Sequence, residues 1–305
     1  MPANPSYIYD LHLLRFPQSR SRRPSRTDLH GMSGGGGALF GALPDEVLNH
    51  VLSFLPSREA VQASLLARRW RHLWRSTQAI SVREEGDGAR FFVNALLLRR
   101  RDAAGSSPPL RSFELDTDLL IPPYDESQDY YCYDGDGDVP EVDRHVDLWI
   151  DHALSACRAR SLTVRIHNVY TSWRPRCPLA FASEHLTTLH LEHVHLADGL
   201  LDFARCPALR QLTFVHCHLE GEALVSPSLE RLSIVHCGIE IGEWEGKAIT
   251  RSTKRISTPS LRCLQLTSRH EQDAALFLES ESIPWMADPC IQQRAGEMKI
   301  YSPKR

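Results

Sequence analysis

Apolar residues begin to recur at helical spacing near residue 43. Val47, Leu48, Val51, Leu52 and Leu55 share one face of a helix. Pro44 suits its first helical position, and Asp45 and Glu46 favour the positive N-terminus. Pro56 stops this helix; Ser57 can cap the next, with Glu59 in its first turn. Val61, Leu65 and Leu66 continue the apolar pattern. Trp70, Leu73 and Trp74 then fall at i, i+3, i+4, interleaved with Arg68, Arg69, Arg71, His72 and Arg75. Three short helices within residues 39–77 are therefore predicted. Beyond them, Ala89 to Arg101 reads as a helix ending before Gly105 and Pro108-Pro109, and Leu110 to Leu115 alternates like a short strand. Val146 to Cys157 reads as a helix and Leu162 to Ile166 as a strand.

From Leu186 a repeat takes over. Leu186-Thr187-Thr188-Leu189-His190-Leu191 has the form L-x-x-L-x-L, followed by further apolar positions. The form returns at Leu209, at Leu229 with Ile234 as its last apolar member, and, after an insertion, at Leu261. The first two intervals fall within the roughly 20 to 29 residues of leucine-rich repeats. The spacing puts alternate residues of a short strand inward, with one more from the preceding turn. One such unit cannot close its own core, so neighbours must stack. Cys206-Pro207, Ser226-Pro227-Ser228 and Thr258-Pro259-Ser260 stand just before three of the strands, where proline steers the chain into extended structure.

Three helices in about 35 residues cannot bury all their apolar groups internally, and leftover apolar surface marks a partner site. Leu43-Pro44-Asp45-Glu46-Val47-Leu48, then Val51-Leu52-Ser53-Phe54-Leu55-Pro56, then Val61, Ser64-Leu65-Leu66-Ala67-Arg68-Arg69-Trp70 and Leu73-Trp74 strongly resemble the F-box. The repeats with their Ser-Pro-Ser lead-in resemble the leucine-rich repeats of plant F-box proteins, including the type that carries a further C-terminal FBD domain. The two resemblances together cover most of residues 39–268. They imply an α+β solenoid class, a small helical F-box followed by a short α/β leucine-rich-repeat solenoid. The expected organisation is a basic, glycine-rich tail over 1–38, the F-box over 39–80, the repeat region over 81–270 with an acidic loop near 124–143, and an irregular tail over 271–305.

The F-box resemblance implies docking onto a Skp-family adaptor and, through it, a cullin scaffold. By motif position, Leu43 and Pro44 belong to the adaptor-facing surface. Leu48, Leu55, Val61, Leu65 and Trp70 are shared between that surface and the module's core. A helical module would lay apolar anchors into a helical groove. By analogy with the fold, the outward positions Thr188, His190, Glu192, Gln211, Thr213, Glu230 and Ser233 are the candidates for touching a target protein. After Leu266 no further L-x-x-L-x-L unit follows and no polar cap is evident. The expectation is a C-terminally truncated repeat array.

The 305 residues allow one or two domains, and 42% hydrophobic content supplies a sizeable core. A net charge of −3 gives no global attraction to nucleic acid or anionic lipid. No apolar run approaches the roughly 18 residues of a membrane span, and none near the N-terminus reads as a signal peptide. None of the eight cysteines forms a C-x-x-C pair. They read as small buried hydrophobes in a reducing compartment, which places the protein inside the cell, in nucleus, cytoplasm or both. Ser19 to Arg26 is a basic run, a solvated tail or a nuclear import signal; Met32 offers a second translation start.

Several chemical motifs fail on inspection. Gly31-Met32-Ser33-Gly34-Gly35 fits G-x-S-x-G, but a polyglycine linker supplies neither the strand nor the helix of a nucleophile elbow. Asp134-Gly135-Asp136-Gly137-Asp138 suggests a calcium loop, yet Val139 and His145 stand where glycine and glutamate are required. His216-Cys217 and His236-Cys237 recur at equivalent repeat positions and could ligate metal, or pack as repeat filler. No cofactor is implied and no catalytic residue is assigned. The expected function is a non-enzymatic substrate-recognition subunit of a Skp-cullin-F-box ubiquitin ligase. The alternatives are an adaptor-binding protein without a target, a small-molecule co-receptor, and a nucleic-acid binder acting through the arginines near Trp70.

Overall fold

The computed structural model describes residues 43–66, 68–84, 87–100, 108–117, 141–167, 173–175, 181–197, 199–220, 223–237, 255–267, 290–294 and 297–301. The N-terminal tail, most of the acidic loop and most of the tail expected over 271–305 lie outside them. Among the described residues no helix is long and apolar enough to cross a membrane.

The first helix, α1, spans Asp45–Leu52, and α2 spans Ser57–Ala63. Each proline expected to begin or end a helix sits just outside one. Pro44 and Pro56 take extended backbone as N-caps, so Asp45 and Ser57 are the first helical residues. Ser57 therefore does not cap α2. Its hydroxyl is buried and accepts the Ser81 N–H at 3.0 Å, which ties α2 to the first strand. The third predicted helix is wound more tightly, as a 3-10 segment over Arg68–Ser76. Leu73 and Trp74 turn inward from it.

The strands are β1 Ala79–Glu84, β2 Ser112–Thr117, β3 Ser161–Ile166, β4 Thr188–Glu192, β6 Gln211–Val215, β9 Arg231–Val235 and β11 Cys263–Thr267. They lie side by side in chain order, all parallel. An antiparallel hairpin of β12 Cys290–Arg294 and β13 Glu297–Tyr301 continues the sheet at the β11 edge. Helix α3, Asp87–Arg100, joins β1 to β2. Helix α4, Glu141–Asp151, runs into a π-helical turn at His152–Ala156 before β3. Short pairs form two further small sheets: β5 His195–Leu196 with β7 His218–Leu219, and β8 Ala223–Val225 with β10 Arg255–Ser257.

The parallel register explains the L-x-x-L-x-L spacing. One row across the sheet is Ile80, Phe113, Leu162, Leu189, Leu212, Leu232 and Leu264. A second is Val82, Leu115, Val164, Leu191, Phe214, Ile234 and Leu266. Every member of both rows is buried. Each such side chain contributes about 1.5–3 kcal/mol relative to exposure. The leading leucines, Leu186, Leu209, Leu229 and Leu261, are buried as well.

The residues around the prolines do more than redirect the chain. Cys206, Ser226 and Thr258, one before each proline, are buried at equivalent positions. Two residues on, the Ser228 hydroxyl donates to the Cys206 and Leu209 carbonyls, and that of Ser260 donates to the Pro227 carbonyl. Each serine thus fastens its repeat to the one before it.

Candidate functional site

Two surfaces carry the residues singled out from sequence. The first lies on α1, α2 and the turn that follows. Leu48 is 1% exposed, and Leu52, Ala60, Ala63, Leu73 and Trp74 close the module's core around it. Leu48 thus belongs to the module's core. Pro44 and Leu65 are exposed, whereas Leu43, Leu55, Val61 and Trp70 are partly covered. Four exposed apolar residues were not assigned from sequence to the adaptor-facing surface: Val47, Val51, Phe54 and Leu66, the last 78% exposed. They belong to the same apolar periodicity, but a stripe wider than one core contact gives no sign of which edge stays outside. Arg69 pairs with Asp45 at 2.6 Å across the module, so one of the arginines near Trp70 already has an acidic partner.

Between the turn after α1 and the start of the sheet is a half-open cleft of about 340 Å³, lined by Phe54, Pro56, Ile80, Arg83, Phe113 and Glu114 among others.

The second surface is the sheet face opposite the apolar layer. On β1 to β4 it is charged. Glu114 receives Arg165 at 2.5 Å and the Ser81 hydroxyl at 2.9 Å, with Arg83 at 3.8 Å. Burial alone would push the Glu114 carboxyl up, but the hydrogen bonds from Arg165 and Ser81, with the charges of both arginines, hold it below its ordinary value. Arg165 also reaches Glu192 at 3.3 Å and Asp116 at 3.8 Å. Asp116 in turn meets His167 at 2.7 Å. Glu192 is thus one corner of a cross-strand network and His190, half-buried beside it, another. Thr188, Gln211, Thr213 and Ser233 stand on the same face in their strands. Glu230 does not stand on a strand: it precedes β9 and pairs with Arg210 of the repeat before.

At the C-terminal ends of the strands runs a row of imidazoles that the sequence reading did not assemble. His193 stacks on His216 at 5.1 Å between ring centres, and His216 on His236 at 5.4 Å; His167 lies 6.3 Å from His193. His195 and His218 stack one step further along the chain, at 5.7 Å. His193, His216 and His236 all have left-handed backbone, with φ of 56°, 50° and 52°. Each donates its N–H to the last residue of the next strand: Val215, Val235 and Thr267. The turn drops the following residue into the interior: Val194 and Cys217 are buried and Cys237 is partly covered. The paired His-Cys positions do come together, then, but the imidazoles and thiols take different sides of the turn. Among the described residues no group of three or more histidine, cysteine or acidic side chains is placed to hold a metal ion.

Residues 40–78 match the family model of the F-box domain. The chain is 28% identical over 198 residues to an F-box/LRR-repeat protein of Arabidopsis thaliana, covering 59% of this chain and 39% of that protein. It is 25% identical over 260 residues to an F-box protein of the same plant, covering 77% and 71%. A second Arabidopsis F-box/LRR-repeat protein is 25% identical over 264 residues, with 79% of this chain and 50% of the relative covered. Against the two LRR-repeat relatives the matched region thus spans half of the relative's length or less.

Proposed function

We propose that this chain, with an F-box at residues 40–78 and plant F-box/LRR-repeat relatives along most of its length, recruits a target protein to a Skp-cullin-F-box ubiquitin ligase. The F-box docks a Skp-type adaptor, and the adaptor links to the cullin. The repeat sheet, read as a short solenoid that continues from the F-box, holds the target. The chain performs no bond chemistry of its own. It supplies proximity, holding a target lysine near a ubiquitin-loaded enzyme on the same scaffold. On this reading it works inside the cell, in nucleus, cytoplasm or both.

The observation that carries the reading is the apolar surface left on the F-box after its core has closed. Val47 and Val51 on α1, Phe54 after it, and Leu65 and Leu66 after α2 stay open to solvent. A helical module with a complete core retains such residues when they anchor a partner groove.

The test is co-purification of the full chain with a Skp-family adaptor. Wild type is expected to form a stoichiometric complex. Val51→Asp and Leu66→Asp, which change exposed positions, are expected to weaken it by about tenfold or more each while the fold persists. The Leu43→Ala, Pro44→Ala double variant should weaken it too. Leu48→Ala is expected to act through stability instead, costing about 2–5 kcal/mol. A folded wild type that does not bind the adaptor, or aspartate variants that bind as wild type does, would sink the proposal.

A further inference from the structure

The turns that carry the stacked imidazoles each send one side chain inward. Val194, Cys217 and Cys237 directly follow His193, His216 and His236, the three histidines with left-handed backbone. Val194 and Cys217 are buried, and Cys237 is partly covered. The valine shows that this position accepts an aliphatic side chain, so packing makes no demand for sulfur here. Sulfur nevertheless stands on two successive repeats.

Strand register brings those two sulfurs together. Val215 of β6 pairs with Val235 of β9, and each cysteine follows its valine by two residues. The His216 N–H donates to the Val235 carbonyl at 2.9 Å, and the His216 and His236 rings stack within 18° of parallel. The two turns are therefore superposed one strand spacing apart, about 4.8 Å. A disulfide joins Cα atoms roughly 4.4–6.8 Å apart. The two thiols already share a hydrogen bond. The pair is also asymmetric. Burial pushes the Cys217 thiol well up, and its hydrogen bond to Cys237 pushes the same way. That bond holds the Cys237 thiol down against its own burial, with the Cys217 and Val235 backbones assisting. Cys237 is thus both the more accessible thiol and the more readily ionised one. Cys217, 0% exposed, meets a reagent only through its neighbour.

We propose that Cys237 and Cys217 form a dithiol oxidised by a small hydroperoxide, a modification site whose reversible disulfide staples the β6 repeat to the β9 repeat. With hydrogen peroxide the Cys237 thiolate attacks one oxygen and the O–O bond breaks. Cys237 becomes a sulfenic acid, and the other oxygen leaves as hydroxide and takes up the thiol proton as water. The Cys217 sulfur then attacks the Cys237 sulfur. The S–S bond forms, the S–O bond breaks, and the departing hydroxyl carries off the Cys217 proton as a second water. The two thiols lose two electrons between them, and the peroxide gains them. Both cysteines lie outside the F-box at 40–78, so the inference stands independently of adaptor docking.

The experiment exposes the reduced full chain to hydrogen peroxide, blocks the remaining thiols, and maps the digested chain by mass spectrometry. Trypsin cuts after Arg210, Arg231 and Lys247, so Cys217 and Cys237 fall in different peptides and their link is read directly. The expected product is the Cys217–Cys237 link, removed by dithiothreitol, in preference to any other pairing of the eight cysteines. That preference should vanish when the chain is oxidised in denaturant. Cys217→Val, which copies Val194, should leave Cys237 as a sulfenic acid that a 1,3-diketone traps. Cys237→Val should slow modification of Cys217 by about tenfold or more. No link at this pair would overturn the inference and leave the two sulfurs as packing. So would a link formed equally well in denaturant, or Cys217 modified as fast in Cys237→Val as in wild type. The wild-type map decides by itself, so a variant that fails to fold does not spare the proposal.

Discussion

The three stacked histidines show how much one backbone angle can determine. At His193, His216 and His236 the chain must turn from a strand into the interior, which the positive φ accomplishes. For an L-residue other than glycine that conformation costs about 1–2 kcal/mol. It persists because each N–H is bonded to the neighbouring strand and each ring is stacked on the next. His193, with His190 and His195, also confers a pH dependence. Burial lowers the His193 imidazole below its ordinary 6.5, opposed by Glu192 and assisted by His216 and His167. Burial and Arg174 lower His195 against Glu220, with His218 adding to the lowering. Burial and Arg165 lower His190 against Glu192 and Glu114. Just below pH 6.5 the unfolded chain therefore binds more protons than the folded one. Stability should fall as pH drops through that window and level off once the folded imidazoles titrate. Denaturant midpoints measured on either side of pH 6.5 check this. His193→Asn, which suits left-handed backbone, should shrink the drop. A flat profile, or greater stability at the lower pH, would refute the account.

Among the elements, α3 and the 3-10 segment depend on each other through one buried arginine. Arg100, at the end of α3, is 2% exposed. It donates to the Trp74 carbonyl at 3.1 Å, the Thr77 hydroxyl at 3.0 Å and the Thr77 carbonyl at 2.7 Å. Burial pulls its pKa down to about 10, so it stays charged at neutral pH. The guanidinium closes the C-terminal end of the 3-10 segment, sharing the Trp74 carbonyl with the Thr77 hydroxyl. Arg58 over the Phe92 ring, 4.7 Å from its centre, ties α2 to α3 as well. Arg100→Ala should cost about 3 kcal/mol, and Arg100→Lys should recover only part, because an ammonium cannot span three acceptors. Equilibrium unfolding measures both. A loss below about 0.5 kcal/mol for the alanine variant would mean that water replaces the clasp.

For the whole molecule, the F-box helices and the parallel sheet belong to one compact unit, residues 44–305. β1 begins at the residue directly after the F-box match ends at 78, and the Ser57 hydroxyl, Arg58 and Arg100 all bridge the junction. Hydrogen exchange should therefore give backbone amides of α2 and β1 the same opening free energy, that of global unfolding. Markedly faster exchange throughout α2 would show that the F-box opens alone. A module that does not open alone holds a fixed attitude to the sheet beside it.

Much of this was legible in the sequence. The helices at Asp45–Leu52, Ser57–Ala63 and Asp87–Arg100, and the strands at β3, β4, β6, β9 and β11, follow from apolar spacing. That spacing is a local code, 3.6 or 2 residues per turn of the pattern. Proline and the positions of the leucines fixed where each repeat begins. β1 escaped notice because its Ile80 and Val82 make too short an alternation beside the tryptophan-rich segment, and only pairing with β2 draws them into extended form. The third F-box helix became 3-10 for a similar reason: Leu73 and Trp74 are claimed by the core and Arg100 by the carbonyls after them. The sequence determined by itself which residues are apolar and how they are spaced, and hence that a small helical module precedes a series of short parallel strands. Which edge of that apolar stripe stays outside, the imidazole row, and the cross-strand charge network on β1 to β4 were decided only by the tertiary structure. These join residues 20 or more apart in the chain, and parallel strand register, not local spacing, sets what each side chain meets.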